Sequence, residues 1–299
     1  MTATDLIPDR DPAGAVVWVA RRMRLRLSLR SVLTICAWVC SFPTAAAPRA
    51  ELWPRWEAHN EASMAQVDHG AWDRFLHTYV RVGSDGIARI PYARVTTADR
   101  DALGIDLAQL AATSISAYSR REQFAFWVDL YNELTVKLVL DYYPVSSIKD
   151  ISISPGLFSA GPWGKQLIII EGEALSLDDI EHRILRPIWR DSRIHYAVNC
   201  AALGCPDLQG QAFTAANADT LLDKAARDYV NSPRGATIAG GRLTVSSIYV
   251  WYQADFGGTE YAVIDHLKHY ARSMLAAALV GIDRLSSDRY DWTLNDLRQ

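Results

Sequence analysis

The segment from Ser119 to Tyr143 constrains the fold most, because its start, its interior and its end all specify one long helix. Ser119-Arg-Arg-Glu122 is a capping box, in which the serine oxygen accepts from the third helical N–H while the glutamate carboxylate reaches back to the cap. Phe124, Trp127, Val128, Tyr131, Leu134, Thr135 and Leu138 recur at helical spacing and form one apolar face. Pro144 disfavours helical backbone in the residue before it, so the helix is expected to stop at Tyr143 and to sit centrally in the core. Asn132 falls beside Val128, Tyr131 and Thr135, near the buried face. A buried amide left unsatisfied costs about 1 to 3 kcal/mol, so Asn132 is expected to tie the helix to a neighbouring loop.

The segments around this helix read as short and mixed. Trp72, Phe75, Leu76 and Tyr79 have helical spacing, and Val80 to Pro91 then alternates about Ser84-Asp85-Gly86, a hairpin signal. A further helix is expected from about Leu107. Between Pro144 and Gly164 periodicity fails, which predicts a long surface loop turning at Gly156, Gly161 and Pro162. Gln166 to Glu171 reads as a strand, Gly172-Glu173 as a turn and Ala174 to Leu177 as the returning segment. Ser176-Leu-Asp-Asp179 opens a short helix through Leu185, ended by Pro187. Ile194 to Val198 alternates like a strand, which places Asn199 and Cys200 where strand gives way to loop. Residues 217 to 231 form an amphipathic helix, Thr237 to Val250 a hairpin about Gly240-Gly241, and Tyr261 to Leu275 a late helix. Irregular mixing of this kind favours α+β over a doubly wound sheet. The expectation is a helix-rich mixed domain with a small antiparallel sheet. It divides into a leader at residues 1–46, an N-terminal helical extension at 47–118 with one hairpin, a core at 119–258 and a C-terminal helical extension at 259–299 packed on that core.

The leader determines the compartment. Arg21, Arg22, Arg24, Arg26 and Arg30 precede an apolar run from Val32 to Phe42, and Thr44-Ala45-Ala46-Ala47 offers small residues for cleavage, as in a secretory signal peptide. Counting from Met23 rather than Met1 gives the leader ordinary proportions. The apolar run is too short to span a bilayer, which needs about 20 residues. Cys36 and Cys40 would leave with the leader, and Trp38-Val39 ahead of Cys40 fits a lipid-acceptor site poorly. Removing residues 1–46 takes away six arginines and three aspartates, so the net charge moves from −3 to −6. With no basic run and no interleaving of Lys or Arg with aromatics, nucleic acid is not an expected partner. The expected setting is secreted and periplasmic, which is oxidising, and it leaves an envelope partner or a small ligand as the partner to identify.

Candidate chemistry gathers around Cys200 and Cys205, with His195 and Asn199 just before them. A cysteine nucleophile needs a thiolate, a nearby base and a residue to orient that base. His182 and His195 are the candidate bases, with Glu181 or Asn132 behind them. If residues 194–198 are extended, His195 and Cys200 point to opposite faces. The same two cysteines, spaced C-x4-C in an oxidising compartment, also suit a small disulfide loop, worth roughly 2 kcal/mol, which Gly204 would help to close. Zinc is a third reading, since His182, His195, Cys200, Cys205 and Glu181 supply donor types, but no paired C-x2-C or H-E-x-x-H spacing supports it. No cofactor is implied. Arg186 shares a helix face with His182 and has the planar fork to hold a carboxylate, either Asp255 or an anionic ligand.

Four blocks taken in order, Phe126-Trp127-Val-Asp-Leu-Tyr131-Asn132, Leu177-Asp-Asp-Ile-Glu181-His182-Arg-Ile-Leu185-Arg186, His195-Tyr-Ala-Val-Asn199-Cys200 with Cys205-Pro206, and Ile248-Tyr-Val-Trp251 with Asp255-Phe256, resemble the domain-of-unknown-function 547 family. The resemblance covers roughly residues 115–258. It implies a helix-rich α+β domain and marks Asn132, Glu181, His182, Arg186, His195, Asn199, Cys200 and Cys205 as signature positions. It names no reaction. Two functions stay open: a non-catalytic envelope module in which the Cys200/Cys205 disulfide braces a polar site, and a cysteine-dependent hydrolase or acyl transferase using Cys200 with His182 or His195. The second would need an oxyanion hole, for which backbone N–H groups around Ala201 to Gly204 are the candidates.

Overall fold

A computed structural model describes residues 48–156 and 161–297, together with the backbone of two short strands nearer the start. Those strands, β1 (Asp9–Arg10) and β2 (Val16–Val17), pair antiparallel within a separate unit, Met1–Ala45. The apolar run, Cys36, Cys40 and the expected cleavage segment lie outside the described residues. Everything that follows concerns the second unit, which begins at Ala46.

Its centre is the long helix. Ser119 accepts from the Glu122 N–H at 3.4 Å, and the helix runs Arg120–Tyr142 before Tyr143 turns extended ahead of Pro144. The structure departs from the single apolar face: Glu122 through Val136 are buried without a break. A helix enclosed on every side cannot turn its polar residues to water. Gln123, Asp129, Asn132 and Glu133 are therefore held inside the protein, and the first three have partners there.

The N-terminal extension packs on this helix. In chain order, α1 spans Gly70–Tyr79, the hairpin pairs β3 (Arg81–Val82) with β4 (Ala88–Arg89) about the expected Asp85-Gly86 turn, α2 spans Thr97–Ala111 and the central helix is α3. The helix expected from Leu107 thus starts ten residues earlier. Thr96 caps it by accepting from the Asp99 N–H at 3.1 Å, and the weak apolar contrast of residues 97–106 hides that start from a periodicity reading. The expected strand pair follows as β5 (Ile168–Ile170) and β6 (Glu173–Leu175), with Ile170 opposite Glu173. Among the described residues of the long loop, Ile148 and Ile151 are buried beneath it.

Two local expectations are overturned next to the site. Pro187 does not end the helix that opens at Ser176. A π-helical stretch, Asp179–Leu185, runs straight into α4 (Arg186–Trp189), and the Arg186 N–H donates to the Glu181 carbonyl five residues back. The wide turn absorbs the missing proline N–H, as single π turns do, often at functional sites. Ile194–Ala197 is one helical turn, α5, and no strand. Ile194, His195, Tyr196 and Ala197 are all buried, so their alternation does not mark one wet and one dry face. The chain becomes extended only at Val198.

The remainder forms α6 (Ala218–Val230), the hairpin β7 (Ala236–Ala239) and β8 (Arg242–Ser246), α7 (Ser247–Trp251), α8 (Glu260–Tyr270) and α9 (Ser273–Ala278). The hairpin stops at Ser246, whose hydroxyl caps α7, so Val250 is helical. The late helix breaks at extended Ala271 and Arg272. A strand not expected from the sequence, β9 (Ser287–Arg289), adds parallel to β8 with Thr244 opposite Ser287. The class is α+β, helix-rich with small sheets.

Candidate functional site

Asn132 does what its position requires. Its Nδ2 donates to the Ala197 carbonyl at 2.9 Å and its Oδ1 accepts from the Asn199 N–H at 2.8 Å, so one buried amide fixes the chain on both sides of Val198. Asn199 continues the brace. Its Nδ2 donates to the Pro206 carbonyl at 2.7 Å and its Oδ1 accepts from the Ala201 N–H at 2.9 Å, closing the 199–206 loop from inside. Ala201 takes a left-handed backbone (φ 56°) to make that turn.

Cys200 and Cys205 are joined by a disulfide with their Cα atoms 6.3 Å apart. The Cys200 N–H points at the Cys205 sulfur, and the Tyr290 hydroxyl lies 3.0 Å from both sulfurs. Residues 291–296 run along the loop: Leu203 N–H donates to the Thr293 carbonyl at 2.7 Å, Gly204 N–H to the Asp291 carbonyl at 2.8 Å, and Asn295 N–H to the Ala201 carbonyl at 3.0 Å. Gly204 is required by this approach, since a Cβ there would sit 2.7 Å from the Asp291 nitrogen. Its role is thus close packing of two segments of the chain and not the flexibility a tight ring needs. The N–H groups of Ala201, Leu203 and Gly204, expected as oxyanion donors, already have acceptors.

The carboxylate and imidazole groups converge beside the loop. The π turn presents Glu181 and His182, α4 presents Arg186, α5 presents His195, and the single turn after α7 brings Tyr252 and Asp255. Asp255 Oδ2 is the hub: Arg186 Nε donates to it at 2.6 Å and His195 Nε2 lies 2.7 Å away. Arg186 Nη1 also donates to the Pro48 carbonyl at 2.8 Å and lies 3.0 Å from His182 Nδ1. Glu181 Oε1 is 3.8 Å from each imidazole, and Asp178 Oδ1 is 3.6 Å from His182 Nε2. Tyr252 covers the cluster, stacked on His195 at 4.3 Å with the Arg186 guanidinium 4.6 Å over its ring.

Burial and charge set the protonation states. Burial raises the Asp255 carboxyl, but the donors His195 and Arg186 outweigh it and hold the group down to about 2. Burial, seconded by the Arg186 charge, lowers His182 to about 4, so its imidazole is neutral near pH 7. Burial raises Glu181 against the pull of His195 and Arg186. Desolvated, oppositely shifted carboxyls side by side are a recurring mark of functional centres.

All eight residues singled out from sequence thus fall into two connected groups: Glu181, His182, Arg186 and His195 in the Asp255 network, and Asn132, Asn199, Cys200 and Cys205 in and under the loop. Asn132 anchors that loop from beneath. Tyr290 links the groups, since its hydroxyl touches the sulfurs while its phenol is raised by burial and by the neighbouring charges of Tyr252 and Glu181. Among the described residues the polar contacts of the sulfurs are to Tyr290 and the Cys200 N–H, with no imidazole among them. No three His, Cys, Asp or Glu side chains among the described residues are placed to hold a metal ion.

Sequence reasoning missed Tyr290, Tyr252, Tyr131 and Asp178. Tyr131, which hydrogen-bonds Glu181, reads in sequence as one more core aromatic on α3. Tyr290 sits in an acidic tail whose only signal is its pairing with Trp292. His69 lies 2.9 Å from the Asp129 carboxylate in the core, a pairing across 60 positions that nothing beside either residue in the sequence signals.

No curated protein and no solved structure matches the chain. The family model described as "Protein of unknown function, DUF547" matches residues 115–230, the stretch that holds α3, the π turn, α5, the disulfide loop and α6. The Ile248–Phe256 block, though it resembles the family, lies beyond that match, as does Tyr290. Over residues 115–230 the chain is similar to the DUF547 family, a likeness that takes in the disulfide loop and three of the four blocks read from the sequence.

Proposed function

We propose that the chain is an exported binding module, in which the Cys200–Cys205 disulfide braces a polar site centred on Asp255 and the site receives a small polar ligand in an oxidising, periplasmic setting. One observation carries this reading. Both sulfurs are spent in the bond, and Asp255 holds Arg186 and His195 together beside it. A thiolate nucleophile cannot form while the disulfide is intact. Preformed, desolvated polar groups on rigid elements suit recognition.

The cysteine-dependent hydrolase or acyl transferase remains a second reading on one ground: the 2.7 Å contact between His195 and Asp255 is the geometry of an oriented base. It requires reduced Cys200. Intact-mass measurement of the exported protein, alkylated in denaturant without and then with reductant, separates the two. The binding module predicts loss of the leader, no alkylated thiol before reduction and two after it. Two alkylated thiols in the unreduced, exported protein would overturn it.

A further inference from the structure

We propose that the ligand of this site is a glycan, with a pyranose ring stacked on Trp251 and its hydroxyls donated to the carboxylates of Asp178 and Asp255; this rests on the binding-module reading above.

The argument begins with an aromatic wall built from separate segments. Trp251, the last residue of α7, packs on Trp292 at 5.8 Å with planes 27° apart and on Tyr290 at 4.8 Å. Tyr290 and Trp292 are 4.7 Å apart, and Trp163 meets Trp292 edge-on at 5.6 Å. Trp251 is nonetheless 37% exposed. An exposed tryptophan steadied by two aromatics, one of them backed by a third, is a rigid platform rather than a core residue that failed to bury.

This wall is continuous with the polar site at three points. Tyr252, next in the chain to Trp251, stacks on His195. The Tyr290 hydroxyl touches the disulfide. The Trp163 carbonyl accepts from the Asp178 N–H at 3.1 Å, which sets the wall's far end beside the most exposed carboxylate of the cluster, Asp178, with its side chain 42% exposed. The Asp255 side chain, held by Arg186 and His195, keeps 21% of its surface exposed.

Charge selects the occupant. Asp255 is paired with Arg186 and His195 and burial raises Glu181, so the exposed charge that an incoming anion meets is the Asp178 carboxylate, which repels it. Cations are already in place on the ring faces that would attract one: the Lys149 ammonium lies 4.9 Å over Trp292 and the Arg186 guanidinium 4.6 Å over Tyr252. What remains favoured is a neutral ring with an apolar C–H face for the indole and O–H donors for the carboxylates. A pyranose has both, and the electron-rich indole face complements its polarised C–H bonds.

The test uses the full mature protein and two defined probes, the β-1,4-linked tetramer of N-acetylglucosamine and cellotetraose, titrated by calorimetry and by tryptophan fluorescence, with choline and acetate as comparison ligands. The expected result is saturable binding of at least one tetrasaccharide and none of acetate. W251A should weaken that binding roughly tenfold or more, as loss of a tryptophan anchor does, while leaving the circular dichroism spectrum unchanged. D178N should weaken it without altering the fluorescence maximum of the free protein. Failure of both tetrasaccharides to bind, binding of choline in their place, or unaltered affinity in W251A would overturn the glycan assignment. Since the disulfide is read separately by mass, these outcomes leave the binding-module reading to stand or fall on its own measurement.

Discussion

The Asn132 brace yields the most direct quantitative test. In N132A the Ala197 carbonyl and the Asn199 N–H both lose their partner, and both residues are buried, at 3% and 5% exposure. Each buried group left unsatisfied costs about 1 to 3 kcal/mol, so the variant should lose about 2 to 6 kcal/mol, a large part of the roughly 5 to 15 kcal/mol that holds a domain together. Urea unfolding followed by tryptophan fluorescence measures it, with the wild-type slope as a check that the transition remains two-state. N132D sharpens the test. Its carboxylate keeps the acceptor for the Asn199 N–H but faces the Ala197 carbonyl, and burial with that like-signed dipole raises its folded pKa above the ordinary carboxyl value. A raised folded pKa contributes stability that is present below the unfolded pKa and lost as pH rises through the folded one. N132D should therefore approach wild type as the solution is acidified and fall behind it towards neutrality. A loss below about 1 kcal/mol in N132A, or an N132D deficit that does not vary with pH, would refute the account of this amide.

Three further outcomes are expected. The double variant C200S/C205S should lose about 2 kcal/mol, the chain-entropy value for so small a ring, and an unchanged urea midpoint would show that the loop is held by Asn199 and residues 291–296 alone. Glu133 is fully buried, with no hydrogen-bond partner at either carboxyl oxygen among the described residues, and burial together with the charges of Asp106 and Asp129 holds its pKa well above the ordinary value. Wild type should thus lose stability as pH rises from the ordinary carboxyl range, whereas E133Q should lose less, so parallel stability curves from pH 4 to 8 would contradict a buried neutral acid. Asp255 is shifted the other way, to about 2, and its contribution is present above its unfolded pKa and disappears as pH falls through 2. D255N should flatten that acid limb, and a limb as steep as wild type's in circular dichroism melts would remove Asp255 from the hub.

Much of the centre was legible in the sequence because it depends on local chemistry. The Ser119 box and Pro144 bound α3 from both ends, and Asn132 declared itself as an amide on a buried helix. Arg186 and Asp255 were paired in advance as fork and carboxylate. What the sequence could not convey is long-range. The alternation of Ile194 to Val198 looks the same whether the segment is a half-exposed strand or an entirely enclosed helical turn, and only neighbours on all sides decide between them. Pro187 reads as a stop unless the preceding turn widens, which is a property of packing against α3. Tyr290 reaches the disulfide from 85 positions away, by a route fixed only when β9 pairs with β8.

That last approach has a consequence for how the protein is made. A chain synthesised from its N-terminus presents both cysteines well before Tyr290 emerges, since domains begin to fold while synthesis continues. The sulfurs can join while their hydroxyl cover is still to come, and the final stretch then closes over a bond already in place. Clipping the tail would uncover that bond without severing it, so a protease acting near Arg289 would turn a shielded disulfide into one that ambient thiols can reach.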